Sequence, residues 1–178
     1  MRQETSGLGT AIMSVQDTAG PAGAALRAEL RDFYDAYFAC LEDQDLDRWP
    51  GFFTEDARYL VQSAENHGLG LPVADIFCDS AAMMRDRAAA LRATSVFEAR
   101  RLRHFPGTLR VRIDADGGVI RAELGYLAVE SIVGDPPALF SAGRSLDEIV
   151  RTDAGLRFRS RRVVYDHTYV RNSLVFPL

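Results

Sequence analysis

The chain has 178 residues, 47% of them hydrophobic and 26% charged, with a formal net charge of −4. That balance fits one globular domain with enough chain to bury a core, and it argues against a general nucleic-acid or anionic-membrane surface. All 21 basic residues are Arg, so every basic side chain is a planar fork suited to bidentate carboxylate contacts.

The first residues, MRQETSGLGTAIMSVQDTAGPAG, lack the charged n-region and apolar core of a signal peptide. They read as a flexible lead-in over residues 1–22, in which Met13 is a second candidate start. A single domain is expected over 23–178. No run of about 18 apolar residues occurs, so no membrane-spanning helix is expected. Cys40 and Cys78 read as reduced core thiols of a cytoplasmic protein.

Leu26, Leu30, Phe33, Tyr34, Tyr37, Phe38 and Leu41 recur at three- and four-residue spacing, which predicts one apolar stripe on a helix of roughly 22–43, opened by Pro21. Asp45 is placed to cap a second, short helix ending near Phe53. Residues 57–62 favour a strand, ENHGLG a polar loop, and DIFC at 75–78 a short apolar piece. Ser80 is placed to cap a third helix on which Met84, Arg87 and Leu91 share a face.

After Thr94 the period changes from helical to alternating. TLRVRIDADGGVIRAELGYLAVESIV reads as two strands joined at Asp116-Gly117-Gly118. Turns at Asp135-Pro136-Pro137 and Asp153-Ala154-Gly155 separate two further strands. Alternation in LRFR and LRVRI predicts a sheet with one apolar face and one Arg-bearing face. Helices followed by a long meander define an α+β fold, with helices packed on one face of a curved antiparallel sheet.

The segments WPGFFTEDARYLV, ENHGLGLPVADIFCDSAAMMRDRAAAL, RRLRHFPG and SRRVVYDHTYVRNSLVFPL resemble the small (beta) subunit of bacterial aromatic-ring-hydroxylating dioxygenases, over roughly residues 25–178. The likeness is nearest the branch acting on aromatic carboxylates such as salicylate, benzoate or terephthalate. It implies a cystatin-like, or nuclear-transport-factor-2-like, cone. It also implies a large alpha partner carrying a Rieske iron–sulfur cluster and a mononuclear iron, fed with electrons from NAD(P)H. The assembly it implies has three alpha and three beta chains, with the beta chains forming a trimer and acting as scaffold.

A Rieske centre needs two Cys and two His in paired spacing, and neither Cys40 nor Cys78 has a His nearby in sequence; His67, His104 and His167 are far apart. No cofactor or metal is therefore expected on this chain. The enzymatic alternative is a free-standing lyase or isomerase using Asp56, Tyr59 and His104 for acid–base work inside the cone; a further alternative is a ligand-binding or dimerisation module. For Asp56, local hydrogen bonding at a helix–strand junction competes with that role. For His104, the neighbouring Arg100, Arg101 and Arg103 suggest a subunit contact, with their charge lowering the imidazole pKa. Gly68-x-Gly70 lacks a strand–turn–helix frame, Ser141-Ala142-Gly143 is no nucleophile elbow, and Met83-Met84 reads as core. The aromatic set Trp49, Phe52 and Phe53 is expected to brace the wide end of the cone.

Overall fold

The computed structural model describes residues 20–93, 100–114, 118–167, 174 and 176–178. Residues 1–19 of the expected lead-in, and Asp116 and Gly117 of the expected turn, lie outside that set.

Helix α1 (Pro21–Glu42) starts on its proline and buries Leu26, Leu30, Tyr34, Tyr37, Phe38 and Leu41, the stripe its spacing predicts. It ends where Gln44 turns to φ 57° and donates its side-chain amide to the Arg100 carbonyl at 3.1 Å. Asp45 caps a turn, accepting from the Arg48 amide at 3.3 Å, and a short 3-10 turn, Trp49–Phe52, follows. Strand β1 is longer than its apolar run suggests, Phe53–Ser63. ENHGLG is not purely loop: Ser63 accepts from the Asn66 amide and opens a short helix, α2 (Ala64–Gly68). Strand β2 is Ile76–Cys78. Helix α3 (Ala81–Ala93) is capped by Ser80. It buries Met84 but leaves Met83 exposed, so only one of the two methionines is core.

Strands β3 (Arg100–Ile113), β4 (Ile120–Ile132), β5 (Ala138–Thr152) and β6 (Gly155–Tyr165) form the meander. The six-stranded sheet has the order β2-β1-β6-β5-β4-β3. The sheet departs from an all-antiparallel plan at one pairing, because β1 runs parallel to β6. Strand adjacency across that much chain is not written in any local pattern.

Register shifts interrupt all four long pairings, at Phe53/Arg58, Pro106/Leu109, Ala128/Val129 and Glu148/Ile149. Bulges of this kind bend a strand and raise its twist, and they curl the sheet around α1. Gly143 marks the tightest approach: a Cβ there would lie 2.1 Å from the Val164 carbonyl oxygen, so β5 and β6 could not keep this register with any side chain at 143.

One register shift changes the function of a residue. Ile149 pairs with Phe158 and Glu148 with Ser160, leaving Arg159 as the extra residue on β6. Strict alternation would put Arg157, Arg159 and Arg161 on one face. Past the bulge the parity reverses, and Arg161 is buried with Val163 and Tyr165. The expectation that the Arg residues stay on the outer face therefore fails at Arg161.

Candidate functional site

The interior of the cone has a polar centre inside an aromatic wall. Arg161 and Asp147 are fully buried and form an ion pair at 2.7 Å. Asp147 Oδ2 also accepts from the Tyr34 hydroxyl and the Ser145 hydroxyl, each at 2.7 Å. The guanidinium lies 4.6 Å from the Tyr37 ring centroid and 5.0 Å from that of Phe158, so π faces complete its desolvated shell. Asp147 Oδ1 has no hydrogen-bond partner among the described residues. Burial pushes the Asp147 carboxyl up, against the opposing pull of Arg161.

Next to this pair, three donors meet one oxygen. The Tyr37 hydroxyl donates to the Leu178 main-chain oxygen at 3.0 Å and the Tyr59 hydroxyl at 3.2 Å. Arg161 Nε approaches the same oxygen at 3.5 Å. The Leu178 amide donates back to the Tyr59 oxygen at 2.8 Å, and Trp49 Nε1 donates to the Tyr37 oxygen at 3.3 Å. Burial raises the pKa of both tyrosines, that of Tyr59 well above its usual value, so both stay protonated donors. Leu178 is 1% exposed, packed inside the aromatic wall.

The aromatic set of Trp49, Phe52 and Phe53 belongs to this wall. Trp49 stands edge-on to Tyr59 and Phe53, and Phe52 edge-on to Tyr37. All three are buried.

The structure separates the three acid–base candidates. Asp56 is exposed and accepts from the Thr54 hydroxyl at 2.8 Å. Tyr59 points inward and is committed to Leu178. His104 is buried and stacks on Phe38 at 5.0 Å and 18°. Its ring nitrogens have no hydrogen-bond partner among the described residues, and Glu42 Oε1 stands 3.6 Å from Nδ1. The lowering expected of the His104 pKa is present, to about 4, with burial as its largest cause. Glu42 opposes the shift, while Arg161 and then Arg103 add to it. The neighbouring arginines are thus secondary, contrary to the expected cause.

The expected Arg–His edge also divides. Arg100 shares the inward parity of Leu102 and His104; it pairs with Glu130 at 3.5 Å and lies over the Phe140 ring at 5.1 Å. Arg101 and Arg103 face outward. Arg103 reaches Glu42 Oε2 at 2.5 Å, while Glu42 Oε1 accepts the His104 amide at 2.7 Å. Outside, Arg101 and Arg103 border a cleft closed by Ser131, Ile132 and the fully exposed Val133.

Alternation could have disclosed the inward turn of His104, since Leu102 has the same parity. Nothing in LRFRSRRVVY signals which Arg the bulge turns inward, and Leu178 carries no motif.

Among the described residues no three His, Cys, Asp or Glu side chains converge to hold an ion. Cys40 donates to the Asp45 carbonyl, and burial pushes its thiol up to about 11, which suits a packed thiol and not a thiolate ligand.

An α+β cone of this order, with a filled interior, defines a class, and comparison with known proteins names it. Residues 23–162 match the SnoaL-like domain family. The anthranilate 1,2-dioxygenase small subunit of Burkholderia cepacia is 35% identical over 150 residues, covering 84% of this chain and 92% of that protein. Subunit beta 2 of the terminal oxygenase component of terephthalate 1,2-dioxygenase, from Comamonas sp, is 29% identical over 84% of this chain and 97% of its own length. A solved structure from Novosphingobium aromaticivorans, assigned as the beta subunit of an aromatic-ring-hydroxylating dioxygenase, superposes with a TM-score of 0.79 at 29% identity, covering 89% of this chain and 100% of that one. The chain belongs to the SnoaL-like family, in its branch of small (beta) subunits of aromatic-ring-hydroxylating dioxygenases.

Proposed function

We propose that the chain is the non-catalytic scaffold subunit of a cytoplasmic aromatic-ring-hydroxylating oxygenase whose substrate is an aromatic carboxylate. Its partner is a large alpha subunit that carries the Rieske cluster and the mononuclear iron. Three beta chains form a trimer that holds three alpha chains, so that the cluster of one alpha approaches the iron of its neighbour.

The observation that carries this reading is the 35% identity with the anthranilate 1,2-dioxygenase small subunit across 92% of that protein. The interior supports it from another direction. Asp56 is exposed, Tyr59 is bound to Leu178, and His104 is stacked on Phe38, an arrangement better suited to rigidity than to turnover. The outer surface supplies contact material: Arg101 and Arg103 beside the Val133 cleft, and the cross-strand pair Phe105 and Leu127, both exposed. Exposed apolar residues rimmed by Arg suit a subunit interface.

The test is coexpression with an alpha chain. A complex of three and three is expected, with all iron following alpha and none bound stoichiometrically by the isolated beta chain. A beta chain that stays monomeric at micromolar concentration and fails to copurify with alpha overturns the reading.

A further inference from the structure

We infer that the beta chains meet head to tail: the apolar, acid-bearing segment 69–77 of one copy docks on the apolar ladder of Phe105, Leu127 and Leu139 on the outer sheet face of the next. The inference rests on the trimer of the proposed reading and names the two surfaces that join in it.

Nine large hydrophobic side chains stand exposed among the described residues, and eight of them fall into two groups. Leu69, Leu71, Val73 and Phe77 lie on β2 and the stretch that leads into it. Phe105, Leu127, Val133 and Leu139 lie on β3, β4, β5 and the turn between the last two. Register makes the second group one surface: Phe105 opposes Leu127, and Val129, two residues on, opposes Leu139. Strands β2 and β3 are the two edges of the sheet, roughly 24 Å apart over five strand spacings. Within one chain neither group can cover the other, and clustered apolar surface of this kind marks a contact.

Charge selects which group meets which. Residues 63–80 carry Glu65, Asp75 and Asp79, all exposed, and no Arg. Strand β3 carries five Arg and no acid. Arg100, Arg103 and Arg110 are paired with Glu130, Glu42 and Glu123. Arg101 is exposed on the same face as Phe105 and has no ion-pair partner among the described residues. Each group therefore repels its own kind and attracts the other. A contact between two different surfaces is heterologous, the kind that a closed ring of three requires.

The copy docks on the face of β3 and not along its edge. Main-chain groups of β3 are already taken by α1 and the turn after it: Arg31 donates to the Gly107 carbonyl at 2.9 Å, Gln44 to that of Arg100 at 3.1 Å, and Glu42 accepts the His104 amide at 2.7 Å. Such cover guards an edge against an added strand.

The experiment breaks each surface separately. One variant carries Leu71→Asp and Phe77→Asp, the other Phe105→Asp and Leu127→Asp, and folding is checked by thermal unfolding. Sedimentation should show a trimer for the wild-type chain and, for each variant alone, self-association weakened on the order of a hundredfold. Mixed in equal amounts, the variants should form a one-to-one pair and stop there, since each keeps the surface that the other lacks. A wild-type trimer with either variant still trimeric, or with no pair in the mixture, overturns the inference and leaves the trimer standing. Intact trimers that no longer copurify with alpha overturn it too, and give the surfaces to alpha. A monomeric wild-type chain overturns the trimer and the inference with it. If the Asp variants do not fold, a chain carrying Leu71→Cys and Leu139→Cys is treated with a short bismaleimide; Cys40 and Cys78 are buried. Covalent trimers, absent from either single-Cys variant, are expected. No chain-to-chain product overturns the inference, as does a dimer from one single-Cys variant.

Discussion

The two faces of the same sheet use one chemistry to opposite ends. Inside, Arg161 has a single carboxylate partner at 2.7 Å, and both are fully buried. Outside, Arg121 has two, Asp114 and Glu148, and Arg159 shares Glu148; both arginines are more than 40% exposed at the side chain. The inner pair has little solvent to fall back on, so its geometry has one solution. The outer ladder can exchange any contact for water, or for a partner's carboxylate. What separates them is desolvation and not the number of contacts.

The sharpest way to break that contrast is to remove one member of the inner pair. Arg161→Ala leaves Asp147 as an uncompensated buried charge, and urea unfolding should show a loss of about 3–5 kcal/mol. Replacing both members, as Arg161→Met with Asp147→Leu, should recover more than half of that loss, because the stranded charge is what costs most. If the double variant is no better than the single one, the hydroxyls of Tyr34 and Ser145 matter more than the charges.

A pH series tests another buried titratable group on the inner face, His104. His104 has a folded pKa of about 4 against about 6.5 in an unfolded chain. Between those values the unfolded state binds more protons, so stability falls as pH falls from about 6.5 to about 4 and levels off below. The loss is on the order of 3 kcal/mol. It should appear in wild-type protein and be absent from His104→Phe, measured as urea midpoints at matched pH values. Equal slopes in the two proteins would contradict a buried neutral imidazole. Because the ring is buried, His104 substitutions should act on stability before they act on assembly.

Arg121→Ala probes the outer face. It should cost less than about 1 kcal/mol in the isolated chain, and salt should shrink that further. The smallest effect is expected at Asp56→Asn, which disturbs one exposed contact with Thr54 and should change stability by less than about 0.5 kcal/mol. Turnover per iron-loaded complex should be unchanged. A thousandfold fall in that turnover with normal complex yield would sink the scaffold reading.

The faces also differ in how much of them the sequence disclosed. The helical stripe from Leu26 to Leu41 and the alternation in LRVRI are local, and the structure follows both. The interior is the sum of distant events. Arg161 turns inward because of a bulge set by pairing with β5, and Leu178 matters because Tyr37 and Tyr59, on other elements, aim at it. Neither leaves a trace in nearby residues. Asp56 is an acid–base candidate in the sequence, and its exposure is visible only in the folded chain. The parallel β1–β6 pairing was equally invisible, since no turn signal connects two strands so far apart.

That pairing has a consequence for how the molecule comes into being. Strands β3 to β6 can zip together through successive local hairpins as they are made. Strand β1 cannot: Phe53 waits for Phe158 and Ser63 for Tyr165. Until β6 exists, β1 lacks the strand that joins it to the meander. Contacts so distant in sequence slow folding and leave sticky intermediates open. The slow step in refolding should be docking of the N-terminal half onto a finished meander, and variants that weaken β6, even silently in the native state, should reveal themselves as lower yield from the ribosome.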